Sequence, residues 1–166
     1  LFLREAGSGR YRAFRHDPQL PDSLSGDYVT ALAQGRSGYV WVGTRSNGLN
    51  HCRIEPWSCE RFDGRSGGDR NLRHHHVTAL RRDRAGGLWV ATDGGGLHRA
   101  LVDAAGRVTR FERWGVERGL LNDGIMAVEE DDDGSLWLST RHGLSRLDPA
   151  KGQVVNHVPQ FGLPVS

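Results

Sequence analysis

The side chains that could do chemistry form a few short groups in this 166-residue sequence. His74, His75 and His76 are consecutive, and in an extended chain His74 and His76 point to the same side, as half of a metal site would require. The spacing supplies no third ligand, and a solvated histidine-rich loop explains the cluster better. We therefore predict neither a metal nor a cofactor.

A run of acidic residues also resembles part of a metal site. Residues 129–133 are all acidic and precede Gly134, which resembles the start of a calcium loop. The twelfth position of such a loop needs a bidentate carboxylate, and Thr140 stands there instead. We predict a turn between two strands in which Asp131, like Asp83, accepts hydrogen bonds from backbone amides.

Two cysteines, Cys52 and Cys59, are separated by six residues. They stand at the end of one predicted strand and the start of the next, so a hairpin would bring them opposite each other, within reach of a disulfide. Cysteine is also a common small apolar core residue. A disulfide and two buried thiols are equally good interpretations of the sequence.

These groups must be positioned by a repeating framework. Trp41, Trp89 and Trp137 are spaced by 48 residues, and each is flanked by Gly and apolar residues. Thr44, Thr92 and Thr140 keep the same spacing. Gly accounts for 23 residues, about twice the usual share of roughly 7%, which indicates many turns. Recurrence of this kind indicates an internal repeat.

Each repeat contains four short segments rich in Val, Trp, Tyr and Leu and bounded by turn residues, which predicts four β-strands. A four-stranded antiparallel unit of this length is typical of a β-propeller blade. We predict an all-β fold with three complete blades and a partial one, and we expect a fragment of a larger propeller. The Trp residues are expected to be buried between blades, and the Thr residues to end strands.

The predicted organisation treats residues 1–166 as a partial propeller. The second half of one blade covers 1–24, complete blades cover 25–72, 73–121 and 122–161, and residues 162–166 start the next. A net charge of +2 argues against nucleic acid as a partner, and the absence of a long apolar run argues against membrane contact by this segment.

The second repeat carries Val77-Thr78-Ala79-Leu80, Asp83, Gly86, Leu88-Trp89-Val90-Ala91-Thr92 and Gly96-Leu97. This pattern resembles the repeat of two-component regulator propellers. The first repeat departs from the family pattern at Gly35, where Asp is usual. The resemblance implies a periplasmic or extracellular sensor region of a bacterial inner-membrane receptor, a hybrid histidine kinase or diguanylate cyclase, with a downstream β-domain and a cytoplasmic output domain.

In a propeller, the loops between second and third strands share one face with the loops between blades, and these loops vary here while the framework recurs. The candidates for ligand binding on that face are Arg45, Asn47, Asp93, Arg141 and His142. Arginine can hold a carboxylate or sulfate in a bidentate manner, which suits a small-molecule or saccharide-like acidic ligand. Ordinary solvated turns explain the same residues equally well.

Two functions fit these residues and the family resemblance. The first is a non-catalytic, ligand-sensing segment of a receptor, whose partners are the neighbouring blades, the downstream β-domain and a second receptor copy. The second is a propeller enzyme resembling the streptogramin lyases. No catalytic residues are predicted, because no nucleophile and base stand in a recognisable pattern. The first function is therefore the prediction for this segment.

Overall fold

The computed structural model describes residues 1–5, 7–64 and 68–158. Within them, the strands form one two-stranded and three four-stranded antiparallel sheets. The small sheet contains β1 (Phe2–Arg4) and β2 (Tyr11–Ala13). The first blade contains β3 (Val29–Gln34), β4 (Tyr39–Thr44), β5 (Leu49–Arg53) and β6 (Ser58–Phe62). The second contains β7 (Val77–Arg82), β8 (Leu88–Thr92), β9 (Gly96–Val102) and β10 (Val108–Trp114). The third contains β11 (Ile125–Glu130), β12 (Leu136–Thr140), β13 (Gly143–Asp148) and β14 (Gln153–His157).

Strands within each blade lie in chain order, and the first strands of the three blades are neighbours. Thr30 on β3 donates its hydroxyl to the Val77 carbonyl at 2.6 Å, and Thr78 on β7 repeats this contact with the Ile125 carbonyl at 2.6 Å. A Thr side chain thus ties each inner strand to the next. The predicted all-β fold of propeller blades is confirmed.

The core lies between the blades. Trp41, Leu49 and Phe62 of the first blade pack with Val77 and Val90 of the second in one buried cluster. A second cluster joins the second and third blades in the same way and includes Trp89, Leu97, Trp114, Ile125, Leu138 and Leu147. Burying apolar area between adjacent sheets, and not within one sheet, is what makes the repeats depend on their neighbours.

The three repeated Trp residues occupy the same register position, opposite His51, Arg99 and Arg146 respectively. Trp41 and Trp89 are buried, as expected. The expectation that Trp137 is equally buried is wrong, because it is half-buried. No further blade follows it among the described residues, and its ring stacks instead on His157, with a centroid distance of 5.3 Å.

The repeated Thr residues close the hairpins between the second and third strands. The hydroxyl groups of Thr44, Thr92 and Thr140 donate to the carbonyl groups of Gly48, Gly96 and Gly143 at 2.8–2.9 Å. Gly48 and Gly96 have φ angles of +76° and +84°, in the left-handed region that favours glycine. The Gly-Leu pair that recurs after each Trp is therefore part of the turn.

The end of the second blade and the C-terminal residues differ from the repeat pattern or lie beyond it. The repeat pattern predicts the fourth strand of the second blade at residues 107–111, whereas β10 extends to Trp114. A short 3₁₀ helix follows at Val116–Arg118. The proposed start of a further blade at residues 162–166 lies outside the described residues, and the blade boundaries stay a prediction. Among the described residues, no helix is long and apolar enough to span a membrane.

Candidate functional site

Three equivalent hairpins present the candidate residues on one side of the molecule. In each blade, the residue after the second strand donates its backbone N–H to the residue before the first strand. The donors are Arg45, Asp93 and Arg141, and the acceptors are the carbonyl groups of Tyr28, His76 and Gly124, at 3.0–3.4 Å. We call this side the loop face, consisting of residues 26–28, 45–47, 74–76, 93–95, 122–124 and 141–142.

The charge at one repeat position alternates from blade to blade. Arg45, Asp93 and Arg141 follow the repeated Thr of their blades and are therefore structurally equivalent. Two arginines thus alternate with one aspartate at the ends of the second strands of three adjacent blades. Arg45 and Arg141 are exposed, whereas Asp93 is only partly exposed.

Arg141 reaches across to the preceding blade. Its Nη2 lies 2.5 Å from Oδ1 of Asp93, and its Nε lies 3.1 Å from the same oxygen. His76 Nδ1 lies 3.5 Å from the other oxygen, Oδ2. The hydrogen bond from Arg141 is the main cause that lowers the pKa of Asp93 below its usual 3.8, against an opposing effect of burial. The structure thus joins Arg141, Asp93 and His76 in one polar group.

Arg45 makes a different contact. Its guanidinium carbon lies 5.2 Å from the centre of the Tyr28 ring, a cation–π arrangement. Tyr28 is 64% exposed, which makes it a large aromatic side chain at the surface of the loop face. Tyr28 was not predicted to belong to the loop face, and His76 was considered only as part of a metal site. Their 48-residue spacing, immediately before the first strand of each blade, is the signal that could have identified them.

Asn47 and His142 are directed to local contacts. The backbone N–H of Asn47 donates to the Thr44 hydroxyl at 3.1 Å. The Asn47 side chain lies against Gly26, where a Cβ added to the glycine would be 2.7 Å from Asn47 Oδ1. His142 Nδ1 lies 3.3 Å from Asn122 Nδ2. The structure does not bring these two candidates together with Arg141 and Asp93.

The histidine cluster is organised within its own loop. His74 and His75 stack with ring centroids 4.5 Å apart, and the His76 amide N–H donates to His74 Nδ1 at 3.2 Å. Where the structure describes the chain, no group of three or more His, Cys, Asp or Glu side chains could hold a metal ion. Asp131 accepts from the backbone N–H of Asp133 and of Ser135, both at 3.0 Å, in the turn role predicted for it.

Cys52 and Cys59 form a disulfide between β5 and β6. The two residues are directly opposite in the register, with Cα atoms 4.0 Å apart, and both are buried. Of the two interpretations open from the sequence, the structure has the disulfide. It packs in a buried cluster with Phe14 and Leu24, which precede the first blade in the chain.

The three repeats match a known family. The model of the two component regulator propeller family matches residues 23–46, 71–94 and 119–142. Each match ends at or beside a candidate position of the loop face and contains the repeated Trp. Each of the three complete blades therefore carries one copy of that family's repeat, over its first two strands. A comparison with curated protein sequences finds no match.

Solved structures share the fold of these blades. A domain assigned to the extracellular part of a hybrid two component system of B. thetaiotaomicron superposes with a TM-score of 0.74 at 20% identity, over 95% of this chain and 22% of that one. PorZ, a surface component of the type-IX secretion system of Porphyromonas gingivalis, gives 0.62 at 20% identity, over 84% and 20%. Virginiamycin B lyase of Staphylococcus aureus gives 0.60 at 14% identity, over 92% and 46%. This chain therefore spans less than half the length of each of these proteins.

Proposed function

We propose that this chain is a ligand-sensing, non-catalytic propeller segment of a bacterial signalling receptor, of the two-component or cyclic-di-GMP type. It lies on the periplasmic or extracellular side and passes ligand occupancy to a cytoplasmic output domain. The observation that carries the proposal is the position of Arg45, Asp93 and Arg141. The repeat keeps its Trp and Thr framework, yet the charge at this position of the loop face changes sign from blade to blade.

The family supports a signalling role, since its description is that of a two component regulator propeller. The domain of B. thetaiotaomicron, which shares the fold, supports an extracytoplasmic location. In this proposal, neighbouring blades and a downstream β-domain of the same chain contact the segment, and two receptor copies pair during signalling.

The chemistry of the loop face suggests a small acidic ligand, such as an acidic saccharide. Arg45 is exposed and forms no ion pair within 4.0 Å in the described chain, so its guanidinium has donors left for a carboxylate or sulfate. The adjacent Tyr28 ring offers an apolar surface of the size of a sugar ring. Arg141 is already held by Asp93, so Arg45 is the stronger candidate for the ligand contact.

The experiment uses the full receptor with Arg45→Ala and, as a matched control, Arg10→Ala, which removes an exposed Arg immediately before β2 of the small N-terminal sheet. Binding of uronic-acid oligosaccharides and of their neutral counterparts is measured together with output activity. We expect Arg45→Ala alone to weaken binding of the acidic sugars and the response to them. Equal binding and output in both variants would show that the loop face does not sense this ligand class.

A lyase activity is the second candidate, and the observation that favours it is the common fold with virginiamycin B lyase. Incubation of the purified protein with a streptogramin, followed by mass spectrometry, distinguishes the two. We expect the antibiotic to remain intact. Enzymatic turnover would overturn the non-catalytic assignment.

A further inference from the structure

A cavity of about 150 Å³ lies between the first and second blades, at the opposite ends of the strands from the loop face. Its lining includes Trp41 and His51 of the first blade, Leu88 and Ala100 of the second, and the β3–β4, β7–β8 and β9–β10 turns. A single water needs only about 10–15 Å³ of such space, so the cavity has room for a small organic molecule.

Beside this cavity, the first blade lacks a carboxylate that the other two complete blades have. In the third blade, Asp131 Oδ2 accepts from Trp137 Nε1 at 3.0 Å and from Arg146 Nη2 at 3.0 Å. In the second blade, Asp83 Oδ2 accepts from Trp89 Nε1 at 2.8 Å. The equivalent of Asp83 and Asp131 is Gly35, which lines the cavity and has no side chain to offer.

The first blade also lacks the arginine that accompanies this carboxylate. Arg99 and Arg146 stand opposite the Trp of their blades, whereas His51 stands opposite Trp41. The His51 ring stacks on Trp41 with centroids 3.9 Å apart and an interplanar angle of 11°. Burial, and secondly the charge of Arg36, lowers the pKa of His51 to about 4. The imidazole is therefore neutral near pH 7.

Two largely buried side chains on the cavity wall carry polar groups without a hydrogen-bond partner in the described chain. Trp41 and His51 are 5% and 8% exposed, and neither the indole N–H nor the imidazole forms a hydrogen bond within the described chain. Trp89 and Trp137 satisfy the same N–H with a carboxylate. The Trp41 indole N–H therefore faces the cavity without a protein acceptor and is available to an acceptor that enters it.

The charge around the cavity has the sign that attracts an anion. Arg36 and Arg82 line it, and neither guanidinium lies within 4.0 Å of a carboxylate in the part of the chain that the structure describes. Arg82 donates from Nη1 to the Gly35 carbonyl at 2.9 Å, which holds it at the mouth. Arg36 lies over the Tyr39 ring at 4.4 Å. None of the described residues that line the cavity is acidic.

We propose that this cavity binds a short monocarboxylic acid, whose carboxylate takes the place of the missing Asp side chain. The carboxylate accepts from the Trp41 indole N–H and pairs with Arg36 and Arg82, while Leu88 and Ala100 contact a short aliphatic tail. The site is separate from the loop face, so its failure leaves the function proposed above untouched.

The test observes the indole N–H signals of the protein by ¹H–¹⁵N NMR during titration with sodium acetate and sodium propionate. The spectrum of Trp41→Phe identifies the Trp41 signal by its loss. We expect that signal to move in a saturable manner, while the signals of Trp89 and Trp137 stay in place because their donors already have carboxylate partners. Sodium chloride at the same ionic strength should move none of them.

Two variants make the outcome decisive. Arg36→Gln is expected to weaken acetate binding about tenfold, whereas Arg110→Gln, an exposed control on β10, leaves it unchanged. Gly35→Asp combined with Tyr39→Gly copies the Asp83 and Gly87 pair of the second blade and should abolish the acetate response. The proposal is wrong if acetate and propionate leave the Trp41 signal in place, or if chloride moves it equally.

Discussion

The indole Nε1 of Trp89 donates a 2.8 Å hydrogen bond to Oδ2 of Asp83, six residues earlier in the chain. The other oxygen of Asp83 accepts from the Gly87 backbone N–H at 2.6 Å. One carboxylate therefore joins the turn between β7 and β8 to the Trp that fills the space between blades. Since Trp89 is fully buried, this carboxylate satisfies an indole N–H that the folded protein shields from solvent.

Replacing Asp83 with Ala should therefore lower the free energy of unfolding by about 2 kcal/mol, because it leaves a buried indole N–H unsatisfied. Urea unfolding followed by Trp fluorescence measures the change. Asp132→Ala is the matched control, since Asp132 is a fully exposed turn carboxylate and should change stability by less than about 0.5 kcal/mol. Equal losses in the two variants would contradict this role of Asp83.

Much of the fold could be predicted from the sequence because the framework residues recur. Trp, Gly and Thr at a 48-residue spacing each serve one local purpose, namely packing between blades, turning the chain and closing a hairpin. Such roles depend on contacts within a repeat or with its neighbour. They therefore repeat with the sequence, and the strand bounds follow them closely.

Other features depend on contacts that the repeat pattern does not describe. The burial of Trp137 depends on whether another sheet covers it, which its own repeat does not determine. The contact of Arg141 with Asp93 depends on the distance between hairpins of adjacent blades, and the sequence indicates only that the two residues share a face. The state of the cysteines depends on strand register, which places Cys52 directly opposite Cys59.

The disulfide should contribute measurably to stability. It closes a loop with a sequence separation of 7, for which the chain-entropy relation gives about 2–3 kcal/mol. The variant with both cysteines replaced by Ala should unfold at a correspondingly lower urea concentration. Mass spectrometry after alkylation of the denatured, unreduced protein should find no modified thiol, and two alkylated thiols would contradict the bridge.

His98 is expected to make stability depend on pH. It is 1% exposed, and burial, followed by the charge of Arg113, lowers its pKa from 6.5 to about 4. The unfolded chain binds a proton at this residue below pH 6.5 and the folded chain does not, so stability falls as the pH drops from 6.5 towards 4. A shift of this size corresponds to about 3 kcal/mol.

Unfolding of the wild type and of His98→Gln at several pH values checks this expectation. Gln does not titrate and can still accept the Arg73 backbone N–H, which lies 3.1 Å from His98 Nε2. The difference in stability between the two proteins should change steadily across this pH range. A constant difference would mean that His98 titrates alike in the folded and unfolded chains.

The pair of Arg141 and Asp93 yields a prediction about the loop face itself. The folded pKa of Asp93 is lowered below 3.8, so its stabilising contribution is present above that pH and is lost as the pH falls through the lower folded value. The contribution should stay below about 1 kcal/mol, because the Arg141 side chain is 59% exposed and solvent screens the pair.

Titration of the Asp93 carboxyl carbon by NMR should give a midpoint below 3.8 in the wild type. In Arg141→Gln the midpoint should rise, whereas Arg45→Gln, at the equivalent position of the first blade, should leave it in place. A midpoint that Arg141→Gln does not move would show that this contact does not form in solution, and the loop face would then present Arg141 as a second free guanidinium.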